Sequence, residues 1–493
     1  MSDSPPRLRF GTSTGRWVIL ATVLASGIAF LDSTVVNVAL PAIARDFDTG
    51  IAGLQWTLDA YLLTLGGFLL LGGSLGDLYG RRKIFTIGIV WFGSASALCA
   101  VAPSVETLIV ARALQGVGAA LLVPGSLAII STSFHPDDRA QAIGAWSGLS
   151  GVTTALGPFL GGWMVDFVSW RLVFVINIPL VVIAIWITVR HVPESRDEQA
   201  PRRPDVPGAV LAALALTGIV YALIEGPGRG WSDTGVVIGM VVGVLGVVAF
   251  VFTERKVRHP MVPLSIFRNR QFSSANLTTL VLYGALSGAL FLLILQLQGV
   301  MGYSAIEAGL AALPITVLLL LFSARAGRLA SRIGPRLPMT VGPIVAGVGL
   351  LILLTVQPGS SYLTSVFPSM IVFGIGMAIT VAPLTAAVLA AVDDRHAGIG
   401  SGVNNAVARV AGLLAVAILP VVAGIGGTQG FAAEEFTRGF HKAALLSAVL
   451  CVLGGIISWF GISDERVPED EAGHAEHITH TCVEGRAPEE YVA

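Results

Sequence analysis

The sequence predicts an all-α integral membrane protein of fourteen transmembrane helices, arranged as two six-helix bundles with an extra helix pair inserted between them. Three observations predict it. Of the 493 residues, 54% are hydrophobic and only 12% charged, about half the charged share of a soluble domain, and the mean hydropathy is +0.79. The apolar residues gather in stretches of about 17 to 25, the length that crosses ~30 Å of hydrocarbon at 1.5 Å per residue. A glycine-containing turn closing the second stretch has a partial copy eight stretches later. The formal net charge of −1 leaves no basic surface for nucleic acid and no strongly acidic face. The lipid bilayer is the partner that composition names.

In chain order the spans are expected at 17–40, 54–75, 84–103, 105–130, 140–166, 170–190, 207–226, 234–254, 271–297, 304–324, 337–356, 360–391, 395–424 and 440–462. Period-2 alternation is absent, and in lipid only a helix satisfies its backbone within one segment, so each span is α-helical. With both termini cytoplasmic, 23 of the 30 Lys and Arg lie on the inner side and five outside, with Arg112 and Arg409 inside spans. That bias sets the orientation and requires an even number of spans. Arginine far outnumbers lysine and Ala and Gly abound, a composition that hints at a GC-rich bacterial genome, and the expected location is the inner (cytoplasmic) membrane. The polar start runs into a span long enough to stay in the bilayer, so no cleaved signal is expected. Cys99, Cys451 and Cys482 imply no disulfide framework.

"LGDLYGRR" at 75–82 resembles "LASRIGPR" at 329–336, just beyond span 10. An offset of eight spans between equivalent turns divides the chain into a cytoplasmic N-terminus (1–16), a first bundle (17–190), a linker (191–206), an inserted pair (207–254), a second linker (255–270), a second bundle (271–462) and a cytoplasmic tail (463–493). Two parallel six-helix repeats around a midplane cavity make a transporter. The tail holds His474, His477, His480 and Cys482 at spacings that could ligate zinc, but it is short, acidic and weakly hydrophobic, so a solvated, disordered segment is the expectation. No metal or other cofactor is expected, and no G-x-x-x-x-G-K-[ST] phosphate loop occurs.

Charged groups inside the spans mark candidate sites, because each is costly in hydrocarbon and must turn into the bundle. Asp32 lies about 22 Å along span 1; Arg112 and Asp59 lie about 10 Å and 8 Å from the outer ends of spans 4 and 2. The three are therefore expected at similar heights. Burial favours a neutral carboxyl group and a neighbouring guanidinium favours a charged one, so a pair that opens and closes binds and releases a proton. Asp32 is the expected switch, with a static ion pair as the plainer alternative. Asp59, Gln115, Glu225, Asn405 and Arg409 are candidates for the substrate cavity. Against this, Glu225 can be a solvated rim residue, and Arg409 with Asn404 and Asn405 can be polar glue between helices.

Two further stretches suggest moving parts. In "GSLGDLYGRRK", Asp77 sits at the negative end of a helix dipole, Gly80 permits a tight turn, and Arg81 follows four residues after Asp77. In span 5, Gly144, Gly148, Gly151, Gly157, Pro158, Gly161 and Gly162 allow close helix approach and a bend.

"LDSTVVNVALP", "GSLGDLYGRRKIF", "LIVARALQGVGAA", "ALGPFLGG" and "WRLVFVINIP", in this order, resemble the motifs of the major facilitator superfamily, specifically its fourteen-span drug:proton antiporters. The resemblance covers most of the chain. It implies the major facilitator fold, proton coupling at Asp32 and Arg112, an inter-half latch at Asp77 and Arg81 near Gly80, and exchange-type transport from Gly157 and Pro158. Ser331 replaces the acidic residue in the second copy of the turn motif, and Thr153 stands where the span-5 motif often has a glycine. The expected function is proton-coupled export of amphipathic, cationic or zwitterionic drugs by a monomer, with the proton as coupling ion and no enzymatic activity. Alternatives are a dedicated exporter of one metabolite, lipid or antibiotic, or a proton-coupled nutrient symporter.

Overall fold

The computed structural model describes residues 8–197, 204–257, 260–393, 397–425 and 433–464. The His474–Cys482 stretch and parts of both linkers lie outside these residues. The described chain forms fourteen long helices: α1 (Ser13–Phe47), α2 (Ile51–Tyr79), α3 (Arg81–Ala100), α4 (Val105–Ser133), α5 (Pro136–Phe167), α6 (Leu172–His191), α7 (Val206–Arg229), α8 (Thr234–Lys256), α9 (Arg270–Val300), α10 (Ala305–Ile333), α11 (Arg336–Thr355), α12 (Tyr362–Ala390), α13 (Ala397–Ala423) and α14 (Ala433–Gly461). Thirteen are long and apolar enough to cross a membrane. The other, α5, is 32 residues long, and its glycines, hydroxyls and charged first turn dilute its apolar content.

Capping, not hydropathy, decides where several helices end. Thr12 Oγ1 accepts from Gly15 N at the start of α1, and Ser304 with Glu307 forms a reciprocal capping box at the start of α10. Helices therefore run past their apolar windows. "LASRIGPR" begins inside the last turns of α10 instead of beyond them, and α14 starts at Ala433, well before 440.

In the first half α1 packs on α5 and α6, α2 on α4, and α3 on α4 and α6. The same contacts recur with each helix advanced by eight, α9 on α13 and α14, α10 on α12, and α11 on α12 and α14. The inserted α7 lies along the seam between α2 and α13, and α8 packs on α7. Their crossing is close because both helices offer glycine: a Cβ on Gly218 would sit 2.5 Å from Gly239 O. The outer side of α8 is a row of exposed valines and other apolar residues, a surface made for lipid.

The start of α1 and the segment after α6 share one face, the terminal face; the opposite one is the far face. Three sets of hydrogen bonds join the halves at the far face. Gln298 Nε2 donates to Val38 O at 3.0 Å, Gln55 Nε2 to Val416 O at 2.7 Å, and the Asp166 carboxylate accepts from Ala305 N and Ile306 N at 2.9 and 2.8 Å.

Candidate functional site

Two of the most deeply buried charged residues among those described, Asp32 and Arg112, anchor one network in the first half. Arg112 on α4 and Asp32 on α1 lie 2.5 Å apart, Nη1 to Oδ2, with side chains 1% and 0% exposed. Gln115, three residues after Arg112 and so on the same helix face, accepts from Arg112 Nη1 at 2.6 Å and donates to Asp32 Oδ1 at 2.8 Å. Asn177 on α6 donates to the same Oδ1 at 2.9 Å, and Ser96 on α3 accepts from both amides at 3.2 and 2.9 Å. Arg112 Nε donates to Thr57 O at 3.1 Å, and the guanidinium lies 4.3 Å from the Tyr61 ring centre. Five helices thus converge on one carboxylate that accepts from three donors. Of its buried polar atoms, only Asn177 Oδ1 has no hydrogen-bond partner among the described residues.

Asp59 is not part of it. Arg112 meets α2 at Thr57 and Tyr61; at about 100° per residue, Asp59 falls on the opposite side of that helix. It shares the side that holds Gln55 and Leu63, against α13 and α7. Its carboxylate is buried, and neither oxygen has a hydrogen-bond partner among the described residues. A height along a helix says nothing about azimuth.

A cavity of about 500 Å³ lies between the halves, within the range of small-molecule sites. Phe30, Ser33, Thr34 and Asn37 of α1, Tyr61 of α2 and Arg112 line one side; Tyr283 and Ser287 of α9 and Asn405 and Arg409 of α13 line the other. It reaches Leu389 and Ser401, at the ends of α12 and α13 on the terminal face, while the far face is sealed by the bonds described above. Of the residues expected in the cavity, Asn405 and Arg409 line it. Asp59, Gln115 and Glu225 do not. Gln115 is held behind Arg112, and Glu225 ties α7 to α2 by accepting from Trp56 Nε1 at 2.9 Å while pairing with Arg229 at 2.8 Å.

Gly157 and Pro158 sit in the far-face seam. A Cβ on Gly157 would overlap Thr34 Oγ1, one on Gly162 would overlap the backbone of Ile306, and one on Gly309 would overlap Pro158 O. Three helices, α1, α5 and α10, come together there at backbone distance. Gly144 and Gly148 face open space instead and take no part in this packing.

The expected inter-half latch is different in kind. Asp77 and Arg81 pair with each other at 2.7 Å, and the turn is tied to the chain after α6. Arg81 N donates to Ser195 O, Asp197 N donates to Asp77 O, and the Glu194 carboxylate accepts from Arg82 N and Lys83 N at 3.0 and 3.2 Å. These partners belong to the start of the linker that follows the first bundle, not to the second bundle. Glu194 compensates the positive end of α3, a role that spacing alone did not expose. Ser96, Asn177 and Asp166 were also missed. Asn177 carried a faint signal, an amide in the otherwise apolar "VFVINIP".

Two six-helix bundles around a cavity open at one face, with a buried ion pair in its wall, define a membrane transporter. The Major Facilitator Superfamily model matches residues 22–416, and the chain belongs to that superfamily. It is 36% identical over 405 residues to the multidrug resistance protein Stp of Mycobacterium tuberculosis, covering 81% of this chain and 75% of the relative. It is 35% identical over 480 residues to the puromycin resistance protein pur8 of Streptomyces alboniger, covering 94% and 95%. A solved bacterial homologue of the human lysosomal transporter Spinster, inward-facing and unoccupied, superposes with TM-score 0.66 at 18% identity over 92% of this chain and 97% of that one; the likeness is one of fold.

Proposed function

We propose that the chain is a proton-coupled antiporter that exports amphipathic drugs across the cytoplasmic membrane. Export is the direction in which a transporter confers resistance, and both relatives are named for drug resistance. In this reading the terminal face is cytoplasmic, both termini are inside, the unit is a monomer, and the proton is the one coupling ion required. The observation that carries the coupling is the buried Asp32–Arg112 pair in the cavity wall.

Geometry suggests how charge is converted to movement. Protonation of Asp32 removes the attraction that holds α1 to α4 and frees Arg112, which already borders the cavity. Thr34 and Val35, within a turn of Asp32 on α1, are the residues that press on Gly157 and Gly161 of α5. A shift of α1 therefore reaches the seam that closes the far face. Protonation from outside, release of cargo, return and deprotonation inside complete an exchange driven by about 2.3 kcal/mol per 100 mV for each charge moved, plus the pH difference.

The test is dye and drug efflux in cells lacking their own pumps and in everted vesicles with and without a pH gradient. Asp32→Asn is expected to abolish proton-linked efflux while the protein remains in the membrane. Unchanged efflux would remove Asp32 from the mechanism.

A further inference from the structure

We propose that Arg409 makes the cavity selective for amphipathic organic anions, molecules that join a carboxylate or acidic enol to an apolar body. The proposal rests on the export reading and narrows its cargo. Among the described residues lining the cavity there is no Asp or Glu, and the charged ones are Arg112 and Arg409. Arg112 is already neutralised by Asp32. Arg409 forms no ion pair among the described residues; its guanidinium lies 5.7 Å from the ring centre of Phe30, across the cavity on α1.

The wall is therefore positive at its middle, where a cationic cargo would meet repulsion and no counter-charge. The carboxylates such a cargo would need are turned elsewhere, Asp59 behind α2 and Glu225 onto Trp56 and Arg229. On this point the proposal departs from the expectation of cationic or zwitterionic cargo. A guanidinium that faces a cavity inside a membrane protein marks a substrate or ion pathway. It is not helix-to-helix glue, since Asn404 fills that role by donating to Asn276 and Thr279 at 3.2 and 2.7 Å. Guanidinium offers a planar fork that matches a carboxylate, and the hydroxyls of Tyr283 and Ser287 border the same space. Exchange of one monoanion outward for one proton inward would move two elementary charges, so such transport responds to voltage more steeply than export of a neutral compound.

The test uses the full-length protein in detergent and in liposomes, with pyrenebutyrate, its neutral methyl ester and ethidium as probes. The wild type is expected to bind and transport pyrenebutyrate with at least tenfold preference over both others. Arg409→Gln should weaken the acid at least tenfold and leave the ester unchanged, and Arg409→Lys should restore most of the loss. A wild type that takes ethidium as well as the acid, or takes none of the three, overturns the proposal, as does an Arg409→Gln variant that weakens acid and ester equally or weakens neither. If Arg409→Gln fails to fold, the wild-type preference and the lysine variant decide. Binding preference is read without a gradient, so pH-independent transport would count against proton exchange and leave the anion preference standing.

Discussion

Arg112 Nη1 lies 2.5 Å from Asp32 Oδ2, and neither side chain is more than 1% exposed. Removing one partner of such a pair leaves the other buried without compensation, a loss of about 3–5 kcal/mol. Arg112→Ala is accordingly expected to depress thermal unfolding in detergent strongly. Asp32→Asn keeps the shape and one acceptor, and the double variant Asp32→Asn/Arg112→Ala is expected to recover part of the stability lost in Arg112→Ala. Losses that simply added would mean that the two groups are not energetically coupled.

The far-face seam sets a second prediction. Gly162 faces the backbone of Ile306, and Gly309 faces Pro158 O. Backbone cannot turn aside as a flexible side chain can. Gly162→Val and Gly309→Ala are expected to push α5 and α10 apart and populate a far-face-open state, with efflux reduced and the protein still folded. Spin-label distances across the far face report the change, and unchanged distances with normal efflux would show that the seam need not close.

Asp166 joins the halves differently, since its two oxygens accept from the first N–H groups of α10 at 2.9 and 2.8 Å. An acceptor at a helix N-terminus contributes about 0.5–2 kcal/mol. If that contribution exists only with the far face closed, Asp166→Ala shifts the conformational equilibrium towards far-face-open; a change of one or two kcal/mol corresponds to about a 5- to 30-fold change in ratio. The same distance measurement checks it, with Asp166→Asn, which keeps one acceptor, expected to fall between.

At the terminal face, Gly80 has φ of 108°, a sparsely populated region that costs an L-residue about 1–3 kcal/mol. A Cβ there would also lie 2.9 Å from the Glu194 carboxylate. Gly80→Ala is expected to lower the unfolding temperature. In a Glu194→Ala background the clash disappears and the backbone strain does not, so the alanine should still destabilise, by less. The second half repeats the arrangement: Gly334 has φ of 90°, and Asp464 is the acid that a Cβ there would meet, at 2.6 Å.

How much could be read in advance depended on contrast with the surroundings. Asp32 and Arg112 stand out because a charge in an apolar helix has few places to go, and the two do meet. Asn177 and Ser96 are as buried and as firmly bonded, but an uncharged amide or hydroxyl in a span is unremarkable. Glu194 and Asp166 sit at helix ends, where acids are common, so nothing in their spacing showed that one ties a turn down and the other bridges the halves. The cavity is the sharper lesson. Asp59 and Glu225 were expected in it, whereas helical azimuth turns Asp59 away, Trp56 and Arg229 hold Glu225 outside, and Asn405 and Arg409 face it.

Asp59 poses the remaining problem, because both of its oxygens are buried without a partner among the described residues where α2 meets α7 and α13. A buried polar group without hydrogen bonds costs about 1–3 kcal/mol by mutational measures, and nothing in this conformation repays it. Asp59→Leu, which fills similar space with apolar atoms, is therefore expected to raise the unfolding temperature of the detergent-solubilised protein. Two outcomes for transport then separate its roles. If Asp59→Leu is more stable and exports normally, the carboxylate is a local liability beside the inserted pair. If it is more stable and inactive, the group finds its partner in the other conformation, when α2 and α13 change register, and the stability cost here is part of what drives the cycle. A variant less stable than the wild type would contradict both, since it would mean that the carboxylate already has a stabilising partner at the junction.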